Sequence, residues 1–494
     1  MQKYRIFCEL VSFRLKNHNY WVKSAGKTLI LHDNLRLEAS SLIKARKAAL
    51  LTNYKKLILK HHPMKKYLFL VLLLSICLIT PTQAENYPYR SDYLWVTVPD
   101  HADWIYQTGE KATIEVQFYK YGIPRDAVVE YSIGGDLLKS DKSGKVTLRN
   151  GRATIDMGTS KTPGFRDLRL TTTLDGTTYR HHVKIGFSPE KIVPFTQEPK
   201  DFLDFWQKSL AENQKIPMKY TKELVKEMCD DVEDVYLIKL QVDRRHWLYG
   251  YLLVPKKAQP GTCPVVLTPP GAGVKTIKEV TSRPYYQQAG MIRFVTEIHG
   301  MRPTMNEEDF ADIRSAFSEY LEMGLDSPEH YYMRHVYLGL VRCIDFLTSL
   351  PEWDGRNVAV MGGSQGGALS LIAAALDKRV TCCVANHPAL SDMAAGSVGH
   401  TSGYPHFKAE EGMYSEANIR TMSYYDVVNF ARHITCPTYL TWGFNDDTCP
   451  PTTSYAVWNT LTCEKESLIT PINEHWTSNA TNRGQMEWIR KRLK

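Results

Sequence analysis

The stretch MGGSQGGALS at residues 361–370 restricts what this chain can fold into more than any other feature. It contains Gly362, Gly363, Ser364, Gln365 and Gly366, a G-x-S-x-G pentapeptide. The preceding NVAVM (357–361) is apolar and short, as a buried strand is, and the following ALSLIAAAL (368–376) reads as a helix. Strand, sharp turn and helix is the context in which a serine at the tip of the turn has its hydroxyl lifted clear of a sheet. Glycines are required there because a Cβ would collide with the neighbouring strand or helix. The competing reading is a chance match at an ordinary strand–helix junction, and the flanks argue against it.

A serine hydroxyl is a weak nucleophile at neutral pH, so it needs a base, and the base needs an orienting acid. In an α/β-hydrolase fold these follow the serine in the order acid, then histidine. PTYLTW (437–442) reads as a strand and GFND (443–446) turns out of it, which makes Asp446 the expected acid. Asp447 competes, but an adjacent side chain points the other way and is expected to be merely solvated. Beyond these positions one histidine remains, His475, in the loop PINEH (471–475) after the β-like run ESLIT (466–470). Asp446 lies 82 residues after Ser364 and 29 before His475, room for the intervening βα units. Charge developing on a carbonyl oxygen needs donors already in place. The Gln365 amide at the helix start is expected to be one, and the amide of Gly271 or Ala272, in the loop PPGAG (269–273), the second. Such chemistry requires no metal and no organic cofactor.

The rest of the chain gives this motif its frame. Residues 85–190 alternate short β-rich runs (94–98, 112–118, 128–133, 153–157, 168–174) with turn signals such as Gly134-Gly135-Asp136, Asn150-Gly151 and Asp175-Gly176. That spacing predicts an immunoglobulin-like β-sandwich without the disulfide. Its tryptophans, Trp95 and Trp104, are expected either in the core or stacking on sugar rings. From 191 to 494 helices and strands alternate. VYLIKLQV (235–242) and WLYGYLLV (247–254) bracket a hairpin, PVVLT (264–268) and IRFVT (292–296) read as buried parallel strands, and 336–347 reads as a helix. The expected fold class is therefore α/β, an α/β-hydrolase with a mostly parallel, doubly wound sheet and an antiparallel start, preceded by the β-sandwich.

GGSQGG (362–367), GFNDDTCPP (443–451), the loop around His475, QEPKDFLDFW (197–206) and GLDSPEHYYMR (324–334) together resemble carbohydrate esterase family seven, the acetyl xylan esterases and cephalosporin C deacetylases. The likeness covers roughly residues 194–494. It implies a serine esterase acting on acetylated carbohydrate, with the family's serine, aspartate and histidine falling on Ser364, Asp446 and His475. It also implies a homo-oligomer, often a ring of six. The sequence departs from the family at three places. HGM (299–301) stands where Arg-Gly-Gln is usual, Trp476 follows His475 in place of Glu, and PPGAG lacks a tyrosine, which removes an aromatic wall from the pocket. Two other readings of the constellation are an oligopeptidase-type serine peptidase and a non-catalytic glycan-binding protein on a hydrolase scaffold. The first carries a propeller in front, for which about 100 residues are too few; the second is disfavoured by an intact Ser, Asp and His in the right order.

Net charge is +8, which invites a nucleic-acid partner, but its distribution argues against one. Of 61 Lys+Arg and 53 Asp+Glu, residues 1–84 hold 15 and 3, which leaves 46 and 50 in the remainder, a net charge of −4 with no basic stripe. The early excess belongs to a leader. MKKYLFLVLLLSICLIT (64–80) followed by Thr82, Gln83 and Ala84 reads as a secretory signal peptide cleaved near Ala84, too short for a stable transmembrane span. Translation is then expected to start at Met64, with residues 1–63 either an over-extended gene reading or a basic tail. The product is expected to be exported, periplasmic or extracellular. Of ten cysteines, eight lie from Cys229 onward with no zinc-ligand spacing, and Cys382 and Cys383 read as buried strand residues. Cys449 is expected to pack rather than react.

Overall fold

The computed structural model describes residues 20–24, 27–31, 91–277, 280 and 290–493. The signal-like segment 64–84, the cleavage point near Ala84 and residues 85–90 lie outside the described residues. The chain divides into two compact units, 1–90 and 91–494. In the first, β1 (Tyr20–Ser24) and β2 (Lys27–Leu31) form an antiparallel hairpin.

The second unit opens with two facing sheets. One holds β3 (Tyr93–Pro99), β5 (Ala112–Lys120), β6 (Ile123–Pro124) and β9 (Arg152–Gly158). The other has the order β4-β11-β10-β7-β8, from β4 (Ile105–Tyr106), β7 (Ala127–Gly135), β8 (Ser140–Leu148), β10 (Gly164–Leu174) and β11 (Thr177–Phe187). Alternation decides which side chains meet between them. Ile114, Val116 and Phe118 from one sheet pack with Val129, Ile133, Leu168, Leu170, Val183 and Ile185 from the other. Each such burial contributes roughly 1.5–3 kcal/mol. Trp95 belongs to this core, at 8 % exposure.

The larger sheet has nine strands in the order β12-β13-β14-β16-β15-β17-β18-β19-β20. The first three, β12 (Tyr220–Leu224), β13 (Glu233–Gln241) and β14 (Trp247–Pro255), are antiparallel, and β14 meets β16 (Ile292–Thr296) antiparallel. From β16 onward, β15 (Cys263–Thr268), β17 (Trp353–Gly363), β18 (Cys382–Asn386), β19 (Thr438–Trp442) and β20 (Lys465–Ile469) run parallel. Their inner members are apolar because both faces are covered. The helices are α1 (Phe202–Gln214), α2 (Glu307–Ala316), α3 (Met333–Thr348), α4 (Gln365–Leu376), α5 (Glu416–Tyr425), α6 (Val427–Ala431), α7 (Pro451–Thr460) and α8 (Asn479–Arg490). α4 is apolar nearly all round, and residues 365–375 are all buried, as expected for a helix wedged between a sheet and its neighbours. This is an α/β-hydrolase fold, and its parallel strands deliver their C-terminal loops to one edge, where ligands bind in open α/β sheets. Among the described residues no helix is long and apolar enough to cross a membrane.

Candidate active site

Ser364 stands between β17 and α4 at φ 60°, ψ −126°. A non-glycine residue there is strained by roughly 1–3 kcal/mol, and persists only where the surroundings hold it. They do so through three backbone hydrogen bonds. Its N–H donates to Asn386 O (2.9 Å), and its carbonyl accepts from Ala368 N–H (3.0 Å) and Ala389 N–H (3.1 Å). The flanking glycines are compelled by close approach. A Cβ on Gly362 would lie 2.4 Å from Gly366 O, one on Gly366 2.5 Å from Pro269 O, and one on Gly367 2.7 Å from Asn386 O.

Asp446 follows β19 and is fully buried. Its Oδ1 accepts the backbone N–H groups of Thr448 and Cys449, both at 2.8 Å. Its Oδ2 lies 2.8 Å from His475 Nδ1. A carboxylate can only accept, so Nδ1 carries the proton and Nε2 is left free as a base. The two loops are laced together by Asn445 N–H donating to Asn473 O (3.1 Å). The Cys449 side chain is fully buried, and burial pushes its thiol well above the ordinary value, which suits packing and not nucleophilic attack.

Ser364 and His475 share a cavity of about 1090 Å³ with Gly271 and Ala272. Gly271 keeps open space on its Cβ side, where the nearest atom is Gly363 O at 3.9 Å. The buried Gln365 side chain accepts a short hydrogen bond from the Tyr320 hydroxyl, whose oxygen also accepts Gly273 N–H (3.3 Å). Tyr320 thus ties the helix start to the PPGAG loop, so the two expected oxyanion donors sit on segments fixed to each other. Phe310 and Tyr404 reach the same cavity, supplying aromatic surface that the missing loop tyrosine does not.

Several cavity residues escaped the sequence reading. His387 follows β18, its ring centroid is 4.3 Å from that of His475, and burial first, then the neighbouring His475, lowers it to about 4. Its place just after a parallel strand was the available signal. His299 donates to or accepts from Tyr332 Oη at Nδ1 (2.7 Å), while its buried Nε2 has no protein partner; burial lowers it to about 4. Glu297 accepts backbone N–H groups from Tyr249, His299, Gly300 and Met301, although burial pushes it up to about 7.

Asp447 corrects an expectation. It points away from His475, but it is not merely solvated. It pairs with Lys184 (2.7 Å) and Arg169 (2.8 Å), both from the β-sandwich, and an acidic pair in a turn gives no hint of either. Among the described residues two groups bring three potential ligand atoms within 4.8 Å of one another, His387/Asp446/His475 and Asp167/His182/Asp447. In both, the carboxylates are already engaged, by backbone N–H groups and His475 in the first and by Arg169 and Lys184 in the second.

The sheet order, the strained strand–helix turn and the two loops that converge on it define an α/β-hydrolase. Comparison with known proteins narrows this further. The family described as acetyl xylan esterase (AXE1) matches residues 190–492. The acetyl esterase Axe7A of Xylanibacter ruminicola is 56% identical over 434 residues, 87% of this chain and 98% of that protein. The solved acetyl xylan esterase from Paenibacillus sp. R4 superposes with TM-score 0.55 at 25% identity, covering 62% of this chain and 98% of that one. Acetyl xylan esterase 1 from Thermoanaerobacterium sp. JW/SL YS485 shares the fold, at TM-score 0.53 and 21% identity over 62% of this chain and 98% of that one. The chain belongs to the acetyl xylan esterase family and is a carboxylic-ester hydrolase.

Proposed function

We propose that the protein removes acetyl groups from acetylated xylan or xylo-oligosaccharides through an acyl-serine intermediate. The observation that carries the assignment is the 2.8 Å Asp446–His475 pair beside Ser364 in one cavity. His475 Nε2 takes the Ser364 proton as Oγ attacks the ester carbonyl, and Asp446 stabilises the imidazolium. The Gln365 amide and the amide of Gly271 or Ala272 receive the oxyanion; losing one such donor typically costs about 3 kcal/mol, a hundredfold or more in rate. His475 then protonates the departing sugar oxygen, and water, deprotonated by the same ring, releases acetate and regenerates Ser364.

The protein acts after export, a reading supported by the basic start and apolar run of residues 64–84, with the leader removed near Ala84, and it assembles as a homo-oligomer, a reading supported by the family resemblance. A substrate panel tests the reading. Acetylated xylo-oligosaccharides and short p-nitrophenyl esters are turned over faster than long acyl esters or peptides, and a fluorophosphonate labels Ser364. Faster peptide cleavage would move the protein to the peptidases, and an unlabelled Ser364 would leave a glycan-binding scaffold.

A further inference from the structure

Lys184 lies on β11 of the sandwich, yet its Nζ is surrounded by the loop that carries Asp446. The side chain is 0% exposed. Nζ donates to the backbone carbonyl of Asp446 (2.7 Å) and lies 2.7 Å from Asp447 Oδ1 and 2.8 Å from Asp136 Oδ1. Its own backbone N–H donates to Asn445 Oδ1 (2.9 Å). One sandwich residue therefore grips three consecutive residues, 445–447. Burial alone pulls an ammonium's pKa down, but the Asp136 and Asp447 charges outweigh it and hold Lys184 above its ordinary value.

The grip extends beyond a single ion pair. Asp136, itself buried, accepts from Thr452 N–H (3.3 Å) and Oγ1 (2.8 Å), at the start of α7, and its carbonyl accepts from Thr401 Oγ1 (2.7 Å). Arg169 of β10 holds the far side of Asp447. Phe165 of β10 packs edge-on to Phe444, with ring centroids 4.9 Å apart. β11, the strand of Lys184, also reaches the second loop, where His182 Nε2 lies 3.9 Å from Glu474, the residue before His475. A spacer domain has no need to bury an ammonium against the main chain of one loop, since unpaired or poorly paired buried charge is costly. Asp446 directs both carboxylate oxygens by the course of its backbone, because Oδ1 is fixed by amides two and three residues on.

We infer that Lys184 of the β-sandwich is a positioning residue for the active site, holding the Asp446 loop in the geometry that orients His475, so that the sandwich completes the catalytic machinery of the hydrolase unit. This rests on the assignment of Asp446 as the acid.

The test uses the full chain and p-nitrophenyl acetate. Lys184→Met is combined with Asp136→Asn so that no buried charge is left unpaired. Val116→Ala, in the sandwich core on the sheet that does not carry Lys184, is the stability control. The pair of substitutions is expected to lower kcat and the rate of fluorophosphonate labelling together by about tenfold or more, with KM changed by less than about twofold. In an Asp446→Asn background the same pair is expected to cost less than about twofold, since both changes act through one carboxylate. Should the pair not fold, Asp447→Asn, which removes one Lys184 partner and keeps Asp136, is expected to lower kcat by roughly threefold with KM unchanged. The inference is overturned if the folded pair, or Asp447→Asn in its place, retains wild-type kcat. An equal loss in the Asp446→Asn background, or an equal loss in Val116→Ala at matched melting temperature, overturns it as well. Asp446→Asn alone separates the two claims: if it leaves kcat intact the acid assignment fails, whereas a large loss there with none in the Lys184 pair sinks only the positioning role.

Discussion

At the scale of single residues, the site separates groups that react from groups that set their surroundings. Ser364→Ala is expected to lower kcat by at least about a thousandfold while leaving the melting temperature within a few degrees, because it removes one oxygen from a turn held by backbone bonds. His387 stands apart. At about 4 in the folded chain against about 6.5 unfolded, its ring is held neutral, so it brings no charge to His475 near neutral pH. The sign for stability follows from a lowered histidine. Its contribution is present above 6.5 and is lost as pH falls toward 4, about 2 kcal/mol by pH 4.5. His387→Leu is therefore expected to lose less stability than wild type between pH 7.5 and 4.5, read by denaturant melts at each pH. A variant as acid-sensitive as the parent would show that the ring is not held neutral. The proposed Ser364, Asp446 and His475 follow from chain order, whereas His387, His299 and Tyr320 do not; for His387 the one local signal is its place just after a parallel strand.

At the scale of elements, the strand–turn–helix around Ser364 announced itself through composition. Its glycines are demanded by contacts a few ångströms away, and its helix is apolar because it is buried on every side. Gly366→Ala puts a Cβ 2.5 Å from Pro269 O and must push the PPGAG loop or the helix aside. Overpacking of this kind costs typically about 1–3 kcal/mol. Here it also moves the Gly271 and Ala272 amides, so kcat is expected to fall by roughly tenfold or more and more steeply than stability does; equal losses in both would place the strain elsewhere. Besides the two-residue strands β4 and β6, two longer sandwich strands have no counterpart in the sequence reading. β8 (SDKSGKVTL) has no apolar run, since most of one face is in water, and β11 (TTYRHHVKIGF) carries His181, His182 and Lys184 in its middle. Alternation was masked in β11 because Lys184 answers the loop at 446–447, while His181 and His182 meet Thr97 and Asp167 within the sandwich.

At the scale of the whole molecule, the two halves of residues 91–494 share a charged and aromatic contact. Phe165 meets Phe444 and Tyr455, Thr401 and Thr452 bond to Asp136, and Asn459 Nδ2 donates to Pro189 O (3.0 Å) and Ile192 O (2.9 Å). Removing residues up to 190 would expose the rings and strand Asp447 without its cations. The resulting fragment is expected to be less soluble, to melt at least about 5 °C below the full chain, and to lose most of its activity toward p-nitrophenyl acetate. A soluble fragment with full activity would make the sandwich dispensable. Arg169→Ala removes a half-exposed cation but leaves the buried Asp167 to His182 (3.3 Å), and is expected to cost about 1–3 kcal/mol of stability in a thermal melt.

The sequence by itself determined the fold class and pointed to the proposed Ser–Asp–His order, because hydrophobic period, glycine at close approaches and chain order are local or topological properties that a one-dimensional string carries. Only the tertiary structure decided what surrounds those groups. That His387 lies against His475, that Tyr320 joins the Gln365 side chain to the Gly273 amide, and that Lys184 meets a loop 262 residues away all depend on which surfaces pack together. Burial turns such polar residues from solvated side chains into obligatory partners, and the sequence does not say which of them will be buried.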